Sequence, residues 1–148
     1  MVTSDHKPNK QEALNAIIED IFKLDNPKIE EPRRQQITDF IISAVNGDEL
    51  IAHLAINANL SAGNRGAISF VLTNLRLIKV DIASKEIQSS IFFLNTLSGI
   101  NRKLLDDGRY EFSILFQTGS FGLRYPQDDK DITDFLQKID QARLSTNG

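Results

Sequence analysis

The chain has 148 residues and a formal net charge of −3, from 17 Lys and Arg against 20 Asp and Glu. With no Cys and two His, it has neither a disulfide framework nor the usual Cys and His ligand sets of zinc sites. A charge this balanced is a poor basis for bulk polyanion binding, which is built from many Lys and Arg contacts to phosphate, and 41% hydrophobic with 25% charged residues is the composition of a globular domain rather than a disordered one.

Residues 1–9 read as a polar tail. Met1 to Pro8 has no apolar signal region, and no apolar run in the chain approaches the roughly 20 residues of a membrane span, so a cytoplasmic location is expected. Asn9 and Glu12 have the spacing of an N-cap and its reciprocal partner. Ala13, Leu14, Ile17, Ile18, Ile21 and Phe22 then recur at helical spacing, which predicts an amphipathic helix from Lys10 to about Leu24. Asp25-Asn26-Pro27 ends it. Pro32 suits a first helical turn, and Ile37, Phe40, Ile41, Ala44 and Val45 give a second stripe. Asn46-Gly47 closes that helix as a left-handed cap. Residues 10–47 are thus a helical hairpin with more apolar surface than its two helices can cover for each other.

From Asp48 the period changes to that of strands. Glu49–Asn57, Ala67–Thr73, Arg76–Ile82, Lys85–Leu94 and about Leu97–Leu104 read as strands, with 59–66 a loop by composition. Asp107-Gly108 is a hairpin signal. Tyr110, Phe112, Ile114 and Phe116 alternate with their polar neighbours, and Phe121, Leu123 and Tyr125 do the same before Pro126. Asp128, Asp129 and Asp131 favour a helix start. Ile132, Phe135, Leu136, Ile139 and Ala142 follow at helical spacing to about Leu144.

Seven strands and one closing amphipathic helix resemble the pleckstrin-homology superfold. Leu72-Thr73-Asn74-Leu75-Arg76-Leu77-Ile78 resembles the TN-x-RL-I turn between strands two and three of bacterial PH-like and GRAM-like domains. Ile87–Ile100 resembles the fourth strand and its continuation, Asp107-Gly108 the glycine hairpin, and Phe135 the aromatic plug of the closing helix. The resemblance covers about residues 48–144. It implies an α+β fold: a seven-stranded antiparallel β-barrel or orthogonal sandwich, capped by the C-terminal helix and here preceded by the helical hairpin.

Lipid-binding members of that superfold clamp phosphates with several cations on the first two strands. Residues 49–73 carry only Arg65, to which Arg76 and Lys79 on the third strand add a small candidate anionic-headgroup cluster. Arg76 has a second, structural reading, as a fork of donors that locks the Thr73-Asn74 turn onto nearby carbonyls. The hairpin invites a comparison with DNA-reading helices, but residues 1–47 hold six Lys and Arg against eight Asp and Glu, the wrong balance for nucleic acid. His53 stands alone in an apolar strand. Asp106-Asp107 and Asp128-Asp129 sit at turn and cap signals, and Ser61–Gly66 lacks the Lys-Ser/Thr ending of a phosphate loop. No catalytic residue, metal site or cofactor is expected.

One run exceeds what a solvated sheet needs. Ile91, Phe92, Phe93 and Leu94 are consecutive, so both faces of that strand are apolar. Either the N-terminal hairpin covers the second face, or a second subunit or partner peptide does. The expectation is a noncatalytic binding or scaffolding module that acts through protein–protein contact or self-assembly.

Overall fold

The structure is a computed structural model and describes residues 10–23, 31–59, 65–83, 86–125 and 130–147. Helices α1 (Lys10–Phe22) and α2 (Glu31–Val45) precede strands β1 (Leu50–Asn59), β2 (Arg65–Thr73), β3 (Arg76–Ile82) and β4 (Ile87–Phe93). A single 3-10 turn, Leu94–Thr96, leads into β5 (Leu97–Leu104), β6 (Tyr110–Phe116) and β7 (Gly119–Tyr125), and α3 (Lys130–Asn147) closes the chain. Asn46 and Gly47 both take positive φ, 50° and 87°, the left-handed end that their sequence announces. The β5–β6 hairpin turns through Asp106, Asp107 and Gly108, with Gly108 at φ 87° and its amide donating to the Leu105 carbonyl at 3.0 Å. The Asn9 cap and the Asp128-Asp129 pair lie outside the described residues.

The strands form two antiparallel sheets, one ordered β1-β2-β3-β4 and the other β5-β6-β7. They do not close into a barrel, and this corrects the barrel expectation. The 3-10 turn explains part of the break. It interrupts the run from Ile87 to Leu104, so that β4 and β5 enter different sheets.

Two cores lie on opposite faces of the four-stranded sheet. Ile68, Phe70 and Leu72 of β2 point to the inner core, where they meet Leu54, Leu77, Phe112, Ile114, Phe116 and the α3 side chains Ile132, Phe135 and Ile139. The Phe70 and Phe135 rings sit 6.0 Å apart. Ala67 and Val71 of the same strand point the other way, with Ile78, Val80 and Ile82 of β3. Against this outer face pack Leu14, Ile17 and Ile21 of α1 and Ile37, Ile41 and Val45 of α2. The helical hairpin thus covers the outer face of β2 and β3 within its own chain. The nearly continuous apolar run of β2 follows from this, since a strand buried on both faces needs no alternation. No helix is long and apolar enough to cross a membrane among the described residues.

Among the described residues, Ser69 is the one buried hydroxyl in the outer core away from a turn. It is buried on β2 opposite Ala55 and Val80, and its Oγ has no hydrogen-bond partner among the described residues. A buried hydroxyl without a partner is destabilising relative to a methyl group. Ser69→Ala is therefore expected to raise stability by about 1 kcal/mol, read as a higher urea midpoint at unchanged slope. A lower midpoint would show that the hydroxyl is bonded in solution.

Candidate functional site

The Thr73–Arg76 turn is a junction rather than an open site. Thr73 is fully buried, and its Oγ1 accepts from the amides of Arg76 at 2.9 Å and Leu75 at 3.2 Å. The same hydroxyl lies 2.9 Å from Asp48 Oδ2 and donates to it. Among the described residues Asn74 bonds not within its own turn but to Glu49, just before β1: Glu49 N donates to Asn74 Oδ1 at 3.1 Å, and Asn74 N to the Glu49 carbonyl at 3.0 Å. The Arg76 guanidinium completes the junction. Its Nε donates to Asp48 Oδ2 at 2.7 Å, and its Nη2 to the carbonyls of Ala44 at 2.9 Å and Val45 at 2.8 Å. Those carbonyls end α2, where a helix leaves acceptors unmet and favours a cation. Arg76 thus acts through carbonyls, but those of the docked helix rather than of its own turn. Asp48, the partner that sequence reasoning missed, carries only the faint signal of an acid just after a helix cap.

The backbone does not bring the three cations named from the sequence to one place. Arg65 opens β2 opposite Asn59, whereas Arg76 opens β3 beyond the far end of that strand. Nine residues of β2 separate them, roughly 30 Å of extended chain. Lys79 lies in register with Phe70, and Asp81 with Ile68, so both side chains share the inner-facing side of β3. Lys79 Nζ is 3.1 Å from Asp81 Oδ1. Arg76 and Lys79 are each held by a carboxylate of their own chain.

Ile91, Phe92, Phe93 and Leu94 divide by face as strand alternation requires. Leu94 is fully buried in the inner core. Phe92 is half-buried there and stacks on Phe116 with ring centroids 4.6 Å apart. Ile91 and Phe93 point outward from β4, in register with Ile78 and Arg76, and remain 41% and 57% exposed. The hairpin stops short of them because its docking face is centred on β2 and β3 and takes in Ile87 at the start of β4. Leu75, 51% exposed, lies opposite Leu94, whose amide donates to the Leu75 carbonyl at 3.0 Å. Ile91 and Phe93 form an apolar pair on the outer face of β4, an edge strand of its sheet.

Two further polar candidates pair within the chain. His53 Nδ1 lies 2.8 Å from Asp20 Oδ2, linking β1 to α1. Asp107 holds Arg109 across the β5–β6 turn at 2.7 Å. That hydrogen bond, and behind it the carboxylate charge, pushes the exposed Arg109 pKa up.

No family model matches the chain, and no curated protein matches it. Among solved structures it is similar to a chain of the crystal structure of human RhoA in complex with the DH/PH fragment of PDZRHOGEF. The TM-score is 0.52 at 14% identity, over 92% of this chain and 40% of that one. The fold is thus PH-like in outline: two antiparallel sheets with a C-terminal helix against the inner core. The matched share of this chain exceeds what residues 48–148 alone could supply, so the similarity reaches back into the helical hairpin. The chain spans less than half the length of that neighbour.

Proposed function

We propose that the protein is a noncatalytic binding module that works by protein–protein contact, with self-association through β4 as its simplest form. One observation carries this reading: Ile91 and Phe93 stand exposed together on the outer face of an edge strand. The hairpin that could have covered them is already spent on the neighbouring strands. An edge strand presents unpaired backbone donors and acceptors, and an apolar outer face beside it supplies the side-chain contacts of an added strand. Two copies related by a two-fold axis would pair β4 with β4 and cover Ile91 and Phe93 together.

Size-exclusion chromatography with light scattering tests it. The full chain is expected to show a mass rising above 16.6 kDa with concentration, and I91N/F93S is expected to remain at the monomer mass with unchanged far-UV circular dichroism. A strict monomer at high concentration removes self-association. Binding of anionic headgroups, the alternative, finds Arg76 and Lys79 already engaged and Arg65 remote from Arg76. Co-sedimentation with anionic vesicles at low salt is expected to leave the protein in the supernatant.

A further inference from the structure

The other edge of the four-stranded sheet differs in character. A groove of about 550 Å³ runs along β1, and Ile51, Ala52, His53, Leu54 and Ala55 all line it. Side chains of successive strand residues point to opposite faces. Five consecutive residues can share one groove only if it follows the edge of the strand, where the backbone is presented. β1 ends its sheet, and no other strand pairs with its free side among the described residues. The walls are two helices on opposite faces of the sheet. On one side α1 contributes Asp20, and on the other α3 contributes Asp131, Asp134, Phe135 and Lys138. Those α3 positions have the spacing of a single helix face.

The charge of the walls selects the occupant. Three carboxylates face one ammonium group. Asp131 and Asp134 are exposed and form no ion pair among the described residues, while Asp20 is in contact with His53. A second copy of this chain entering edge to edge would bring the same carboxylates against each other, which disfavours a homodimer here. An extended basic segment meets neither objection. Its backbone would bond to β1, and its successive side chains would point alternately toward Asp20 and toward Asp131 and Asp134. About five residues, at roughly 3.4 Å each, span the lined stretch.

We propose that the β1 edge, walled by Asp20, Asp131 and Asp134, captures an extended Lys- or Arg-rich peptide segment by strand addition. This site is separate from the β4 patch and does not depend on it.

Fluorescence polarisation with a labelled Lys-Lys-Val-Val repeat peptide, which sets Lys on both faces of an extended strand, tests the proposal. Saturable binding by the full chain is expected. D131N/D134N is expected to weaken it roughly fivefold, as the loss of two exposed ion pairs would, with the fold checked by circular dichroism because Asp131 also favours the α3 start. A Glu-Val peptide is expected not to bind. A Lys-Val peptide with Pro in place of every Val keeps its charge but loses backbone donors on both edges of the strand, and is expected to lose most of its affinity. Slowed amide exchange over residues 51–55 on binding would place the peptide at the edge. No binding overturns the proposal. So does equal binding of the Pro-containing peptide, which would mark plain charge attraction, or indifference to D131N/D134N. I91N/F93S is expected to bind the Lys-Val peptide normally, so failure here is distinguishable from failure of the β4 reading.

Discussion

Replacing Arg76 by Met is expected to lower the unfolding free energy by about 3 kcal/mol, the lower end of what breaking a buried ion pair costs. Arg76 and Asp48 are 13% and 12% exposed, and three acceptors converge on one guanidinium. Without it, among the described residues, the Asp48 carboxylate keeps the Thr73 hydroxyl, the Ala44 carbonyl loses the guanidinium, and the Val45 carbonyl keeps the Asp48 amide at 3.1 Å. Arg76→Lys is expected to recover less than half, because one ammonium group cannot reproduce a planar fork reaching both a carboxylate and two carbonyls. D48L/R76M separates the two contributions. It removes the stranded carboxylate but leaves the Ala44 carbonyl without the guanidinium, so partial recovery relative to R76M is expected. Urea midpoints followed by circular dichroism read all three variants. A loss below 1 kcal/mol for R76M would mean that water replaces the guanidinium easily. The hairpin would then be held by its apolar face alone.

Local signals fixed the elements of this fold well. Alternation in β6 and helical spacing in α1 and α3 place residues whose burial then follows the same pattern. Asn46-Gly47 and Asp107-Gly108 encode backbone turns directly, because few other residues accept positive φ. What the chain hides is long-range pairing. Asp48 and Arg76 are 28 residues apart, and only the register of β1, β2 and β3 brings them together. Arg65, Arg76 and Lys79 are near in sequence, yet an antiparallel hairpin sends the first two to opposite ends. The apolar run at Ile91–Leu94 stands out because both of its faces are apolar. β2 is two-faced as well, and its central position, invisible in the sequence, is what gives it the hairpin. The acidic walls of the β1 groove come from α1 and α3, more than a hundred residues apart, and no local pattern announces their meeting.

Deleting residues 1–47 is expected to leave residues 48–148 aggregated on expression rather than folded as a free unit. The hairpin covers Ala67, Val71, Ile78, Val80 and Ile82, all of them almost completely buried. Uncovered, they would form one apolar face across two adjacent strands, of a size that monomeric proteins do not leave in water. Six helix side chains enter that core in return. Each buried Leu, Ile or Val contributes about 1.5–3 kcal/mol before the cost of ordering the helices is counted. The deletion also removes the Ala44 and Val45 carbonyls from Arg76, so the apolar face and the polar junction fail together. A second truncated chain carrying V71T, I78T and V80T separates folding from solubility. Thr suits a strand but tolerates water, so this chain is expected to be more soluble and to show a strand signal by circular dichroism. If the unaltered 48–148 chain were instead soluble, monomeric and cooperatively folded, the outer face would not need its cover. The hairpin would then be free to leave it, and the face beneath would become the larger binding surface, in place of the pair at Ile91 and Phe93.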